Sequence, residues 1–206
     1  MLAASAEVPF DSEQHLFEIK WDGIRCLAFI ENGRVRLQSR QLTEITSQFP
    51  ELAELKRLPT GTIVDGELVV LEAGGPSLHQ IQHRALLQNR ARMERISQLT
   101  PATFIVFDLL YLQGRALLGA PLRHRREVLV GLLEHYVPSG VLVSEGVAEH
   151  GCKLFAQVAR LGLEGIMAKR LDGPYLPAKR SRHWLKIKPN PSTGVFLATA
   201  AMGESL

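Results

Sequence analysis

The sequence is poor in cysteine and has no long apolar run, and each shortage excludes a class of protein. Only two of its 206 residues are cysteine, Cys26 and Cys152, which make no disulfide framework and lack the spacing of a metal site. Both have apolar neighbours, so we expect buried free thiols in a reducing compartment. No apolar stretch approaches the ~20 residues that cross a bilayer, and the N-terminus lacks the basic start of a signal peptide. These features predict a cytoplasmic protein with no membrane contact.

Repeats and low-complexity tracts are also missing, and the bulk composition is that of an ordinary globular protein. Hydrophobic residues make up 46% and charged residues 22% of the chain, so a packed core is expected. The length fits one large domain or two small subdomains around a cleft. A net charge of +3 favours anionic partners such as nucleotides or nucleic acids, although it does not identify one.

Local patterns predict an irregular mixture of strands and helices, which is typical of an α+β fold. Residues 1–14 are expected to form an irregular lead-in. Asn32-Gly33 between two alternating runs predicts a tight hairpin, and Asp65-Gly66 predicts either a strand pair or a bend in one strand. We expect helices over 77–97, 123–136 and 152–161. Further strands are expected over 104–110, 165–169 and 184–188.

The first cluster with chemical character surrounds Lys20. On a strand Glu18 and Lys20 share one face, and Asp22 approaches that face as the chain turns at Gly23. A lysine among apolar strand residues is costly unless it is paired or works as a neutral amine. The cluster by itself therefore leaves two interpretations open, a nucleophilic amine or a stabilising ion pair between Lys20 and Asp22.

Other clusters leave similar alternatives. The segment Asp65–Glu67 sets two carboxylates beside a glycine, either as a site or as a simple acidic turn. Phe107 stands in an aromatic stripe that is typical of a core, and Glu164 leads a strand that ends in two cations. Lys186 and Lys188 share one strand face, where like charges repel unless an anion lies between them. An exposed sheet edge guarded by lysines is the competing interpretation.

Together these segments resemble the motifs of the covalent nucleotidyltransferases, in order, spacing and residue type. The stretch Lys-Trp-Asp-Gly-Ile-Arg resembles the family's Lys-x-Asp-Gly-x-Arg motif. Within that superfamily the motif sequences are most similar to those of the ligase module of bacterial end-joining DNA ligases. The resemblance extends from Leu16 to Pro189 and rests on these segments: Lys20–Arg25, Ser39-Arg40, Asp65–Glu67, Phe107-Asp108, Glu164–Lys169 and Trp184–Lys188.

The resemblance implies an α+β, ATP-grasp-like fold of the DNA ligase and mRNA capping enzyme type. Antiparallel sheets flanked by helices would surround an ATP cleft, with the adenylation domain over 15–189. Ligases of this family continue into an OB-fold domain, whereas the tail over 190–206 is too short for such a barrel. The sequence therefore leaves open whether that domain is lost, cut off or supplied by another chain, and whether this chain alone completes ligation.

The resemblance also implies a role for each motif residue. Lys20 would attack the α-phosphorus of ATP, and Asp22 would orient Lys20. Glu67 and Glu164 would hold Mg²⁺ or Mn²⁺, since hard oxygen donors suit both metals. The residues expected to bind ATP itself are Glu18, Ile19, Arg25, Arg40, Glu67, Phe107, Lys186 and Lys188.

The implied substrate is nicked or broken double-stranded DNA in a bacterial, nucleoid-associated setting. An OB-fold domain in trans, a Ku-like protein and a polymerase/primase are the expected partners of a monomer. Two rivals remain: an RNA ligase or capping-type transferase, and a non-catalytic module that binds nucleotide or DNA ends. Arginines at 90, 92 and 95 and in the run 123–126 would touch the DNA backbone or form solvated helix faces.

Overall fold

The structure is a computed structural model that describes residues 1–189, so the predicted tail over 190–206 lies outside the described residues. The strands are β1 (Leu2–Ser5), β2 (Ser12–Ile19), β3 (Ile24–Glu31), β4 (Arg34–Ser39), β5 (Thr62–Val69), β6 (Leu71–Glu72), β7 (Gly75–Pro76), β8 (Thr103–Leu112), β9 (Arg115–Ala116), β10 (Val141–Val143), β11 (Gly146–Glu149), β12 (Ile166–Arg170) and β13 (Arg180–Ile187). The α-helices are α1 (Leu78–Ala85), α2 (Arg90–Leu99), α3 (Leu122–Tyr136) and α4 (Gly151–Arg160), and two 3-10 helices cover Thr46–Gln48 and Pro50–Arg57.

The chain divides into two compact units. Unit 1 consists of residues 1–21 together with the described residues from 145 onward, and unit 2 consists of residues 22–144. Unit 1 contains a five-stranded sheet in the order β1-β13-β12-β2-β11, whereas the main sheet of unit 2 runs β10-β8-β5-β3-β4, with β9 paired to β8. All pairs in these two sheets are antiparallel except β1 with β13 and β10 with β8. The predicted α+β class with antiparallel sheets is confirmed.

The two faces of the unit 1 sheet differ sharply in chemistry. Residues directly opposite in neighbouring strands share a face, and the register therefore places Phe17, Ala168 and Leu185 on one side. That side packs with Phe155 and Val158 of α4 in the core of the unit. The opposite side carries Glu18 of β2, Lys169 of β12 and Lys186 of β13 and is the functional face of unit 1.

Unit 2 has the larger core. Alternate residues of β3, Cys26, Ala28 and Ile30, belong to the same core cluster as Leu129 and Leu133 of α3. The predicted hairpin is confirmed: Asn32 and Gly33 both have positive φ, at 50° and 70°, as a two-residue turn between twisted strands requires. Within residues 1–189, no helix is both long enough and apolar enough to cross a membrane.

Three predictions of secondary structure are wrong. The lead-in 1–14 is not irregular, since β1 pairs with β13 and β2 begins at Ser12. The single helix expected over 77–97 is two helices, because α1 ends at Ala85 and Asn89 caps α2 by accepting a 3.0 Å hydrogen bond from the amide of Arg92. The last strand begins at Arg180 rather than Trp184.

Candidate functional site

The functional face of unit 1 is organised in rows that cross all five strands. One row runs Gly146, Glu18, Met167, Lys186 and Ser5. Glu18 is buried, while Met167 and Lys186 are half-buried. Strand alternation thus sets Lys186 on the functional face and Leu185 and Ile187 in the core, as the sequence predicted.

Lys20 follows β2 directly and is held at both its backbone and its side chain. Its amide donates a 2.9 Å hydrogen bond to the carbonyl of Gly165, and its Nζ forms an ion pair with Oε2 of Glu164. The other oxygen of Glu164 accepts from Nζ of Lys188 at 2.5 Å. Lys20 and Glu164 are about one-fifth exposed, so the amine is anchored while a ligand can still approach it.

Gly165 brings Glu164 and Lys20 together because only glycine fits there. Its φ is +137°, and a Cβ at this position would lie 2.2 Å from the carbonyl oxygen of Ile187. β12 can therefore approach β13 closely at this point, and the Gly165 carbonyl reaches the amide of Lys20.

The charge state of Glu164 follows from its two lysine partners. Burial raises the pKa of its carboxyl, but the hydrogen bonds and positive charges of Lys188 and Lys20 outweigh burial and hold that pKa below its ordinary value. The carboxylate therefore stays ionised at neutral pH, flanked by two ammonium groups. Such a cluster can exchange an ammonium contact for a phosphate or a cation without unfolding.

Glu18 occupies a second, fully buried ion pair. Its Oε2 lies 2.8 Å from Nζ of Lys169, and both side chains are 2% exposed. The same Nζ lies 4.6 Å from the ring centroid of Trp184, which in turn packs edge-on against Tyr175. The sequence prediction included Glu18 but gave Lys169 no role.

In unit 2 the predicted residues Glu67 and Phe107 lie beside Arg25, whose guanidinium makes a bidentate contact, here called the fork, with Asp65. Arg25 donates from Nε and Nη2 to the two oxygens of Asp65, at 3.1 Å and 2.7 Å. Its guanidinium carbon lies 5.7 Å from the ring centroid of Phe107, and Glu67 is its direct neighbour across the β3–β5 ladder. Asp65 is fully buried, so it acts as a fixed support for Arg25.

Phe107 occupies a β-bulge. Asp65 faces Asp108 across the β5–β8 ladder, yet the next residue, Gly66, faces Val106, so the ladder register skips Phe107. A bulge re-aims the extra side chain. A Cβ on Gly66 would lie 2.5 Å from the carbonyl oxygen of Ile105, so the glycine lets the two strands meet here. The predicted bend at Asp65-Gly66 is confirmed.

Asp108 and Arg125 form a pair that sequence reasoning missed. Arg125 donates from Nε and Nη2 to the two carboxylate oxygens of Asp108, at 2.7 Å and 2.8 Å, and neither side chain is exposed. Arg125 is therefore neither a DNA contact nor part of a solvated helix face, which corrects both interpretations of the run 123–126 for this residue. Its neighbour Arg126 donates to the carbonyl of Ser144 at 2.6 Å.

The other predicted residues are less constrained. Asp22 is half-buried and forms no hydrogen bond or ion pair within residues 1–189. The stabilising pair considered for Lys20 is therefore made by Glu164 rather than Asp22.

Arg40 is exposed in the turn after β4, and Arg90, Arg92 and Arg95 are exposed on α2. Cys26 is buried, but Cys152 is only half-buried, so the expectation for that thiol is wrong in part.

The candidate metal ligands can be judged by their donor set. Among residues 1–189, no three or more His, Cys, Asp or Glu side chains are grouped as a metal cage requires. Mg²⁺ suits such a protein, because it typically takes one or two carboxylates and fills its octahedron with water and substrate phosphates. The Glu164 carboxylate fits this role, with its charge already balanced by two exchangeable lysines.

Comparison with known proteins identifies the family. A sequence profile described as ATP dependent DNA ligase domain matches residues 1–188. The chain belongs to this family of ATP-dependent DNA ligase domains. Its match to the ligase domain of LigD from M. tuberculosis has a TM-score of 0.75 and 36% identity, over 91% of this chain and 58% of that one. A second structure, mycobacterial DNA ligase D complexed with ATP and MES, gives a TM-score of 0.72 at 34% identity, over 91% of this chain and 59% of that one.

These matches confirm the predicted ligase-type nucleotidyltransferase fold. The ligase domain is 38% identical over 208 residues to the multifunctional non-homologous end joining DNA repair protein LigD of Mycobacterium tuberculosis, covering 99% of this chain and 25% of that protein. It is 35% identical over 189 residues to the SPbeta prophage-derived DNA ligase-like protein LigB of Bacillus subtilis, covering 91% of this chain and 66% of that protein. The ligase domain thus spans a quarter to about two-thirds of the length of these relatives.

Proposed function

We propose that this ligase domain transfers AMP from ATP to its own Lys20, as the first step of sealing DNA breaks. The observation that carries the proposal is the contact of Lys20 with Glu164, which Lys188 shares. Because Lys20 is only half-buried, a ligand can reach its amine, as a nucleophile requires.

In the proposed step, Nζ of Lys20 first loses a proton to solvent. The neutral amine then attacks the α-phosphorus, a phosphorus–nitrogen bond forms, and the bond to the β-phosphate oxygen breaks. Pyrophosphate leaves with that electron pair, and AMP stays on the lysine as a phosphoramidate. A free lysine has a pKa of about 10.4, so nearby positive charge is needed to favour the neutral amine.

Cations of the chain supply part of that charge. We propose that Lys186, Lys188 and Arg40 contact the phosphates, where they would also stabilise the negative charge that builds up in the transition state. A bound Mg²⁺ or Mn²⁺, held by Glu164 and Glu67, would add positive charge at the phosphate oxygens. Asp22 would orient the lysine through the short link between them in the chain.

We propose that the following motif residues recognise the nucleoside. Phe107, re-aimed by its bulge, would stack on the purine, and Arg25 and Glu67 would bind the ribose. In unit 1, Glu18 and the backbone at Ile19 would accept the exocyclic amino group of adenine. The rigid Arg25–Asp65 fork supports this assignment, because preorganised groups bind ligands at a lower entropic cost.

DNA is the proposed final acceptor because the named relatives are DNA ligases and end-joining proteins. AMP on Lys20 would pass to a DNA 5′-phosphate, and a 3′-hydroxyl would then displace AMP to close the strand. End joining in bacteria, with an OB-fold domain, a Ku-like protein or a polymerase/primase as partners, is part of the same proposal.

The decisive experiment is incubation of the chain with ATP radiolabelled at the α-phosphate and Mg²⁺, alone and with an OB-fold domain added in trans. We expect covalent label that is stable to alkali and lost in acid, as for a phosphoramidate. Lys20→Ala should abolish it, whereas Lys153→Ala, which removes an exposed lysine from α4, should not. Absence of label from the wild-type chain under both conditions, with Mn²⁺ also tried, would overturn the proposal.

A further inference from the structure

Lys169 is a buried cation to which the proposed chemistry gives no role. It is 1% exposed, and burying an ammonium group is costly unless a partner of opposite charge fixes it in place. Its partner is Glu18, two residues before the proposed nucleophile. A purely apolar side chain would fill this position at lower cost, so the ion pair needs an explanation beyond packing.

Three neighbouring strands build the pair. Glu18 comes from β2, Lys169 from β12 and Trp184 from β13, and the register places all three on the functional face of unit 1. The Nζ–Oε2 distance is 2.8 Å, and the ring centroid of Trp184 lies 4.6 Å from the same Nζ. Lys169 is thus held from two sides, by a carboxylate and by an aromatic face.

We propose that Lys169 is a positioning residue that fixes the Glu18 carboxylate as the acceptor for the 6-amino group of the purine. This inference rests on the proposed function, in which Glu18 contacts the base. Gly146, opposite Glu18 on β11, leaves no room for a side chain, since a Cβ there would lie 3.0 Å from Cγ of Glu18. The Glu18 side chain therefore lies close against the backbone of β11, and its carboxylate is held from the other side by Lys169.

Immobility is what base selection requires. A solvated, mobile carboxylate would accept a hydrogen bond from water when a purine without the amino group is bound. It would therefore discriminate only weakly between that purine and adenine. A buried and fixed carboxylate has no such alternative, so the missing donor leaves a charged acceptor without its ligand partner. Lys169 holds the carboxylate in one orientation, which makes the selection possible.

The test compares labelling and competitive nucleotide binding for ATP and for purine riboside triphosphate, which lacks only the 6-amino group. In the wild-type chain we expect a clear preference for ATP. Lys169→Met should lower that preference by about tenfold or more, the loss expected for a hydrogen bond to a charged group. Lys169→Arg should retain most of the preference, because it keeps the charge. Arg170→Met, which removes the neighbouring cation whose side chain pairs with Asp172, should leave the preference unchanged.

A double-mutant cycle separates positioning from stability. Glu18→Gln should lower the preference as much as Lys169→Met, and the double variant should be no worse than either single one, since the two residues act as a unit. If Lys169→Met fails to fold, Lys169→Gln, which keeps a hydrogen-bond donor but not the charge, is compared with the wild type in its place. An ATP preference that stays at the wild-type level in the folded variants, even with a lowered melting temperature, would overturn the inference. A wild-type chain that takes no label would instead contradict the proposed function.

Discussion

Arg125 and Asp108 form a bidentate ion pair in which neither side chain reaches solvent. Arg125 also donates to the carbonyl of Ala120 at 2.5 Å, and Asp108 accepts from the amide of Leu109 at 2.9 Å. The pair joins α3 to β8 immediately after the bulge at Phe107. A contact buried this deeply makes the position of the bulge dependent on α3.

Arg125→Met should destabilise unit 2 strongly, because the buried Asp108 carboxylate would lose its bidentate partner. Removing one member of a buried pair costs about 3–5 kcal/mol, measurable by urea denaturation. Arg123→Met, an exposed position in the same helical turn, should change the unfolding free energy by less than about 0.5 kcal/mol. Equal stabilities for the two variants would contradict the structural role of the pair.

Gly165→Ala should weaken both folding and self-labelling. The added methyl group would lie 2.2 Å from the carbonyl of Ile187, which forces β12 and β13 apart and displaces the carbonyl that binds the amide of Lys20. We expect a loss of roughly 2 kcal/mol or more in thermal unfolding. Gly131→Ala in α3, where a Cβ meets nothing within 4 Å, should stabilise by about 0.5–1 kcal/mol. A Gly165→Ala protein with wild-type melting and labelling would refute the close approach.

Stability should depend on pH through Glu164. The folded state lowers the pKa of this carboxyl below its ordinary value of 4.5, with Lys188 and Lys20 outweighing the effect of burial. Its contribution is therefore fully present above pH 4.5 and is lost as pH falls through the lower folded value. The difference in unfolding free energy between wild type and Glu164→Gln should be constant near neutrality and shrink in acid. A difference that grows on acidification would have the wrong sign.

Arg25→Lys should show that the fork, not the charge alone, matters. Lysine cannot make the two parallel hydrogen bonds to Asp65, and we expect a loss of about 1–2 kcal/mol in urea denaturation together with weaker ATP labelling. The matched change Arg34→Lys, at an exposed hairpin position, should have almost no effect on either. If the two variants behave alike, the Arg25–Asp65 geometry is not required.

The two thiols should differ in reactivity. Burial raises the pKa of the Cys26 thiol far above its ordinary value, and it also raises the pKa of Cys152, with the Asp11 charge adding to the rise. Since Cys152 is half-buried and Cys26 is 1% exposed, a thiol reagent should modify Cys152 slowly in the native protein and Cys26 only after unfolding. Cys152→Ser should remove the native reaction entirely. Persistence of that reaction would place the accessible thiol at Cys26.

Local patterns predicted the elements whose cause is local. The hairpin at Asn32-Gly33 follows from the positive φ that these residues tolerate, and the two-faced character of β13 follows from alternation between Leu185 and Lys186. The resemblance added the nucleotidyltransferase fold, which the comparisons confirm. The individual ligand roles of the motif residues remain predictions.

The remainder depends on pairings that no local pattern contains. Arg84 is fully buried and binds Glu51 at 2.7 Å and 3.0 Å across 33 residues of chain, although its own helix reads as an ordinary amphipathic segment. The bulge at Phe107 arises from the register between β5 and β8, which only the assembled sheet defines. Lys169 was visible as a strand residue, but its partner lies 151 positions away.

The alternation along β2 has a consequence for how this protein can evolve. Phe17 and Ile19 face the core, and Glu18 between them lies on the functional face, paired with Lys169. Inserting or deleting a single residue in β2 would exchange these faces, driving the carboxylate towards α4 and the phenyl ring onto the functional face. Changes of two residues would preserve the arrangement. Selection for a folded unit 1 therefore also preserves the strand register that places Lys20 next to Gly165, even before any selection for catalysis.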